Sequence, residues 1–381
     1  MFIPRLIDST IRRDLKSFPV VAIVGPRQSG KSTLAQHIIG DQDNLFLDLE
    51  LPTDLEKLSD PQTFLEQQKG RLICIDEIQH APELFSLIRA LVDRWKTPGS
   101  FLVLGSASRD LLKQSSQTLA GRIAYNTLLP FLFSEVCEKV SFETYIERGG
   151  FPLSLLADDD ELSMRWRQNF MRTFLERDLI QWSGASPSSM RRLWSMLAHL
   201  NGQTANYSVL GSSLGVTSKT VKTHIDLLAS TFMVEVVGPY RSNLGKRLVK
   251  APKVYIADSG ITCALLNINS YRNLVGHPAY GAIWEQVVLT TIRGHFPDAE
   301  ISFYRSSGGA EIDFVVDVAG DIFAIECKAS IAPKLTRGNN SAIEDIKPQQ
   351  TLVVAPIDAG WPMKENISAV SLSELISRLQ A

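Results

Sequence analysis

The run Gly25-Pro26-Arg27-Gln28-Ser29-Gly30-Lys31-Ser32, with Thr33 behind it, has the residue types and spacing of a loop that cradles phosphate. Glycines at its two ends let the chain curl so that successive backbone N–H groups point inward at phosphate oxygens. Lys31 adds a point charge for the β- and γ-phosphates, and the Ser32 hydroxyl is placed to ligate magnesium. The residues Gly25 to Thr33 are therefore the expected nucleotide-binding set, with Lys31 also expected to act in catalysis. A helix starting at Lys31 would add its positive N-terminal end to the same site.

A second acidic signal follows at Leu72-Ile73-Cys74-Ile75-Asp76-Glu77. On its own, an Asp-Glu pair after an apolar run could cap the next helix. Downstream of a phosphate loop it takes a sharper meaning. Asp76 is expected to hold magnesium with Ser32, directly or through water, and Glu77 to polarise the attacking water as general base. Ser106, at the end of the apolar run Phe101–Leu104, is the candidate polar residue reaching between the two motifs, against the plainer reading of a strand-ending turn. Arg122 or Arg109 could neutralise charge at the γ-phosphate, in this chain or a neighbouring one. Either could equally be a surface arginine.

Two further groups stand outside the nucleotide motifs. In the segment 208–230, a short helix, a turn at Gly215-Val216 and a longer helix Thr217–Ser230 have helix-turn-helix spacing, with Thr217 or Ser218 as the cap. Val221, Ile225, Leu227 and Leu228 would face the core. Ser218, Lys219, Lys222 and Thr223 would face outward, where they suit phosphate and base contacts. The hairpin-like stretch after it runs from Phe232 to Ile256, and between Gly238 and Tyr255 it carries Arg241, Lys246, Arg247, Lys250 and Lys253 without an acid. That is a basic wing for DNA, or a packing or protein-binding hairpin with a solvated loop. Nearer the C-terminus, Glu285 lies on a helical run, Asp313 on the strand-like Glu311–Val316, and Glu326-x-Lys328 on its hairpin partner. Strand periodicity puts Glu326 and Lys328 on one face. This order resembles the PD-(D/E)XK nuclease pattern, with Ile312 where the motif name has proline. The resemblance implies that Asp313, Glu326 and the Cys327 carbonyl hold a second magnesium, that Glu285 supports it, and that Lys328 orients and deprotonates water. The alternative is a fold kept for binding, its carboxylates paired with lysine or arginine.

The elements that must position these residues are legible in outline. Val20–Val24 is a short continuous apolar run, as expected of a strand buried on both faces. It leads straight into the phosphate loop, and a helix Lys31–Ile39 leads away. Glu161–Gln181 reads as one long amphipathic helix, with Trp166, Phe170, Phe174 and Leu175 on one face and Arg165, Arg167, Arg172 and Arg177 on the others. The chain has 381 residues, 44% of them hydrophobic and 21% charged, which suits two or three folded domains. Net charge is −2, so any basic footprint must be local. The four cysteines, Cys74, Cys137, Cys263 and Cys327, form no CxxC pair and suit a reducing compartment. Met1–Pro19 has no apolar h-region and no run is long enough to span a membrane, so a cytoplasmic protein without membrane contact is expected.

The order of phosphate loop, Ile75–Gln79 (IDEIQ), Leu104–Ser108 (LGSAS), Leu119–Arg122 (LAGR), Gly149–Pro152 (GGFP) and Phe174–Leu179 (FLERDL) is similar to a large prokaryotic family. Its members are AAA-superfamily P-loop ATPases with a C-terminal domain of unknown function whose end resembles PD-(D/E)XK nucleases. The resemblance implies an α/β chain in four parts. These are an AAA-type parallel-sheet ATPase domain at 1–137, a helical connector at 138–187, a winged helix-turn-helix at 188–256 and a mixed-sheet nuclease-like domain at 257–381. ATP rather than GTP follows from the resemblance, and no guanine-reading Asn-Lys-x-Asp stretch occurs. AAA relatives often form homo-oligomeric rings, although no residue here requires one. Two functions stay open: a magnesium-dependent ATPase acting on DNA, which the last domain cleaves or only binds, and an ATP-gated switch whose C-terminal domains bind a protein partner.

Overall fold

The computed structural model describes residues 2–40, 43–106, 118–178, 186–240 and 248–380, with Ser106, Arg177 and Asp178 described by backbone alone. The chain divides into two compact units, Met1–Phe131 with Ser230–Phe232, and Leu132–Ala229 with Met233–Ala381.

The first unit is built on five strands: β1 (Val20–Gly25), β2 (Asn44–Asp48), β3 (Leu72–Asp76), β4 (Phe101–Ser106) and β5 (Ile123–Thr127). They lie in the order β2-β3-β4-β1-β5 and every pair is parallel. The continuous apolar character of β1 has its expected cause, since all six of its residues are buried. Its side chains alternate between two cores. Val20, Ala22 and Val24 pack with Ile88, Leu91 and Val92 of the helix Leu84–Trp95. Val21 and Ile23 pack with Leu34, Ala35 and Ile38 of the helix Lys31–Ile39 and with Ile11 of the helix Asp8–Leu15. A parallel sheet covered on both faces puts all five C-terminal strand ends along one edge, where loops can meet a ligand.

The second unit combines helices with an eight-stranded mixed sheet. Its strands are β6 (Val234–Pro239), β7 (Lys253–Ile256), β8 (Glu300–Arg305), β9 (Glu311–Val318), β10 (Asp321–Cys327), β11 (Gln350–Val354), β12 (Trp361–Lys364) and β13 (Ile367–Val370). Their order is β12-β13-β11-β10-β9-β8-β6-β7. The β8-β9-β10 meander is antiparallel, and β10 and β11 are parallel, with the helix Arg337–Ile346 between them. The hairpin that the sequence reads as a wing, β6 with β7, joins this sheet because Gly238 and Pro239 pair in parallel with Ser302 and Phe303 of β8. The segments expected to be connector, helix-turn-helix and C-terminal domain thus fall within one unit, apart from Ser230–Phe232.

The helix-turn-helix itself is present: Tyr207–Leu214, a turn through Gly215, then Ser218–Ser230. Thr217 is its cap, its hydroxyl accepting from the Thr220 N–H at 3.1 Å. Val221, Ile225 and Leu228 enter a core built around the fully buried Trp194, and Leu227 packs against its margin.

Two expectations need correction. The long helix is Asp160–Thr173, followed by a wider π turn at Phe174–Asp178, and residues 179–181 lie outside the described residues. Arg167 is not on a solvent face. It is fully buried, and its Nη1 donates to the carbonyls of Glu147 (2.7 Å) and Gly260 (3.0 Å). The physical reason lies at the C-terminal end of the helix Phe142–Arg148, where the Glu147 carbonyl takes its donor from Arg167 and the Arg148 carbonyl from the Ser154 hydroxyl.

Candidate functional site

The phosphate-loop residues leave the C-terminal end of β1 at the middle of the parallel sheet's edge. Gly25 is required by close approach: a Cβ there would lie 2.2 Å from the Leu128 carbonyl oxygen. Gly30, at φ 96°, is the N-cap of the helix Lys31–Ile39 and takes a backbone shape that side chains disfavour. Gln28 is also left-handed, at φ 61°, an uncommon conformation for a residue with a side chain. Arg27 pairs with Glu50 at 3.2 Å.

Lys31 is buried and its Nζ donates to the carbonyls of Gly25 (3.2 Å) and Pro26 (2.9 Å). Burial pulls its pKa below the usual lysine value, partly offset by the carboxylates of Glu77 and Asp76. A charge held against two weak neutral acceptors in a dry place gains most from an incoming anion. The hydroxyl of Ser29 is buried without a partner, a polar atom left for a ligand to satisfy.

Ser32 and Asp76 meet across the strand ends. The Ser32 hydroxyl donates to Asp76 Oδ2 at 2.5 Å. Burial raises the Asp76 pKa, with the Ser32 hydrogen bond opposing that rise. Glu77 follows in a left-handed conformation, φ 53°, and its own N–H donates to Asp76 Oδ1 at 2.9 Å. Its carboxylate accepts from the Gln79 amide. The β4 strand runs between β3 and β1, with Ser106 in register beside Gly25, so the backbone of Ser106 ends between the two motifs. Its side chain lies outside the described atoms, as do Arg109 and the rest of 107–117. Arg122 is held by its own unit: its guanidinium grips Asp93 at 2.6 and 3.2 Å and donates to the Ala120 carbonyl at 3.0 Å. The residues thus fit a magnesium–nucleoside triphosphate: a glycine-lined cradle, a buried cation, an unpartnered hydroxyl, and a Ser–Asp pair of hard oxygen donors suited to magnesium.

One participant escaped the sequence reading. Arg5, near the start of the chain, is buried. Its Nη1 donates to the Ser29 carbonyl at 3.1 Å, its Nη2 to the Leu129 carbonyl at 2.7 Å, and its guanidinium stands 4.5 Å from the Phe131 ring centroid. It buttresses the phosphate loop from behind. No motif marks it, since an arginine among alternating charged and apolar residues carries no local signal.

The other candidate residues fall in the second unit. Ser218, Lys219 and Lys222 stand exposed on the second helix of the helix-turn-helix, and Lys222 pairs with Asp226 at 2.9 Å. Arg241, Lys246 and Arg247 lie outside the described residues. Lys253 departs from the basic-wing reading: its side chain is 3% exposed and its Nζ lies 3.1 Å from Glu285, 3.3 Å from Asp313 and 3.4 Å from Glu311. The cause is its place in β7, which turns it toward the carboxylates of the neighbouring helix and strands. Glu285, Asp313, Glu326 and Lys328 are brought near one another, as the resemblance implies. Glu326 is buried, and Lys328 Nζ contacts its carboxylate at 2.5 Å.

Replacing Lys31 with Ala is expected to abolish nucleotide binding. Arg5→Ala should weaken it about 10- to 100-fold, the scale of losing a charge-assisted support of about 1.5–3 kcal/mol. Fluorescent-nucleotide titration checks both. Unchanged affinity in Arg5→Ala would show that the loop holds its shape unaided.

An AAA domain family model matches residues 17–137. Two further models match beyond it, each a domain of unknown function: DUF8612 over 139–272 and DUF4143 over 280–375. The chain is 36% identical over 368 residues to the uncharacterized protein Rv2008c of Mycobacterium tuberculosis, covering 96% of this chain and 83% of that one. The same figures hold for the uncharacterized protein Mb2031c of Mycobacterium bovis. Among solved structures, the Walker-type ATPase paby2304 of Pyrococcus abyssi is similar at a TM-score of 0.47 and 15% identity, over 70% of this chain and 96% of that one. The Thermotoga maritima RuvB Holliday junction branch migration motor is similar at 0.30 and 18%, over 60% and 86%. At scores this low neither lends this chain an activity. The mycobacterial match, over most of both chains, and the three domain matches together show that the chain belongs to the Rv2008c family, in which an AAA P-loop ATPase domain precedes two domains of unknown function.

Proposed function

We propose that this protein is a magnesium-dependent ATPase, with hydrolysis at the Gly25–Thr33 loop and Glu77 as general base. The observation that carries the reading is the meeting of Ser32 and Asp76, with Lys31 and Glu77 on either side. Bound Mg·ATP supplies the phosphoanhydride and the divalent charge that offsets charge developing on the phosphoryl group. The chain's own residues do the rest. Ser32 and Asp76 offer oxygen ligands already in contact. Lys31 exchanges two backbone carbonyls for phosphate oxygens. Ser29 gains a partner for its orphaned hydroxyl. The Glu77 carboxylate, fixed by the Gln79 amide, accepts a proton from the attacking water. Ser106 and Arg122 are the remaining candidates for contact with the transferred group. For Arg122, that role requires release from Asp93.

A second layer concerns what the ATPase acts on. The helix-turn-helix favours DNA, because Ser218, Lys219 and Lys222 stand exposed on the helix that would enter a groove. The loss of Lys253 from the basic face weakens that reading and leaves room for the alternative, an ATP-gated switch bound to a protein partner.

Glu77→Gln should bind ATP normally while turnover falls about 10²–10⁴-fold. Steady-state phosphate release, read beside a binding titration, checks this, and full turnover would move the base to another residue. Adding duplex DNA to the same assay at two salt concentrations separates the two readings. Salt-sensitive stimulation supports DNA, since each phosphate contact steepens the salt dependence by ~0.9 in log–log slope. Indifference to DNA supports the protein partner.

A further inference from the structure

The carboxylate centre of the second unit has the donor types of a divalent-cation site but a different occupant. Lys253 opens β7, paired in register with Val237 of β6 and bridged on the other side to Thr204. Its Cα is therefore fixed in the sheet, and its side chain is directed inward. The Nζ stands among Glu285 of the helix Tyr280–His295, Asp313 and Glu311 of β9, at the distances already given. Tyr255 lies two residues on along β7, on the same face, and its hydroxyl also donates to Glu285. Asp313 uses its other oxygen to accept from the Cys327 N–H at 2.9 Å. Glu326 has Lys328. Glu311 is shared with Arg305 at 3.5 Å. Each carboxylate thus has at least one donor from the chain itself, with Glu326 Oε2 the buried oxygen left without one.

A magnesium ion needs oxygens converging at about 2.0–2.1 Å on one point, with room for its remaining ligands. The point on which Glu285 and Asp313 converge is filled by the Lys253 ammonium, and a divalent ion beside it would meet a like charge in a buried place. Among the described residues, no group of three or more His, Cys, Asp or Glu is arranged to hold a metal ion. Withdrawing Lys253 would leave the ammonium unpaired in a dry interior and expose a cluster of carboxylates to one another. The residues present do not fit the metal that the nuclease resemblance implies.

We infer that this centre is closed around Lys253 as a built-in cation and takes no divalent metal. On this reading the C-terminal unit is a binding or coupling module, without metal-dependent phosphodiester cleavage, and Lys253 ties the β6–β7 hairpin to the rest of its sheet. The inference stands apart from the ATPase reading, because no residue of the nucleotide site enters it.

The probe is Mn2+ added to the full-length, nucleotide-free chain and followed by water-proton relaxation. Wild type and Asp313→Asn are expected to titrate alike, any weak binding at the phosphate loop being common to both. Lys253→Met is expected to gain a single further site, and adding Asp313→Asn to it should remove that site. A site in wild type that Asp313→Asn abolishes would overturn the inference, since Lys253 would then yield to metal. A folded Lys253→Met that gains nothing would also overturn it, because the lysine would not be what excludes the ion. Should Lys253→Met not fold, the comparison of wild type with Asp313→Asn still decides, and Glu285→Gln substitutes for Asp313→Asn on the same terms.

Discussion

The nucleotide site hangs on one contact, the Ser32 hydroxyl on the Asp76 carboxylate. The two residues are 44 positions apart: Ser32 follows β1 and Asp76 ends β3, strands that are not neighbours because β4 lies between them. Only a parallel sheet in this order, with both motif strands ending at the same edge, lets a hydroxyl after one strand touch a carboxylate at the tip of another. The sheet's two cores, the glycine that passes Leu128 closely and the buried Arg5 all serve that alignment. Arg5 fixes the loop's far side through the Ser29 carbonyl, so the loop is held at both of its flanks. Burial raises the Asp76 pKa and lowers that of Lys31, which means both charges are costly until a ligand satisfies them.

The second unit follows the same logic with a different result. Its Gly149-Gly150 turn is pinned by Asp258, a buried carboxylate that accepts from the N–H groups of Gly150 (2.7 Å) and Ile261 (2.8 Å). A side chain at Gly149 would collide with that carboxylate at 2.1 Å, which gives the GGFP motif a packing reason. Arg167 closes the arrangement through two carbonyls. Lys253, in turn, pairs with three carboxylates of the same unit. In both places most of the buried charge finds partners within the chain, with Arg167 Nη2 and Glu326 Oε2 left without one, whereas at the phosphate loop it is left for a ligand. Among the described residues, no helix is long and apolar enough to cross a membrane.

The parts legible in the sequence were those with local causes. The phosphate loop, its flanking strand and helix, and the Asp76-Glu77 strand are written in consecutive residues, and the helix-turn-helix in a short span with its Thr217 cap. Strand periodicity put Glu326 and Lys328 on one face, and the resemblance to the nuclease pattern implied that Glu285 and Asp313 join them. What could not be read was side-chain direction fixed by distant backbone. Arg167 looked solvent-facing by helical position, yet the carbonyls that draw it inward belong to segments about 20 and 93 residues away. Lys253 looked like the last cation of a basic loop, and only its register in β7 turns it toward the carboxylates. Arg5 had no motif at all. The hairpin's merger with the C-terminal sheet rests on two residue pairs between β6 and β8, too few to leave a pattern.

If Ser32 and Asp76 form one magnesium site, they must act as a unit. The most direct measurement is a double-mutant cycle on magnesium-dependent ATP affinity with Ser32→Ala, Asp76→Asn and the pair. The account predicts strong coupling, with the double variant losing little more than the worse single variant and an interaction energy of about 1–3 kcal/mol. Losses that add to within about 0.5 kcal/mol would mean that the two residues serve separate ends and would contradict it.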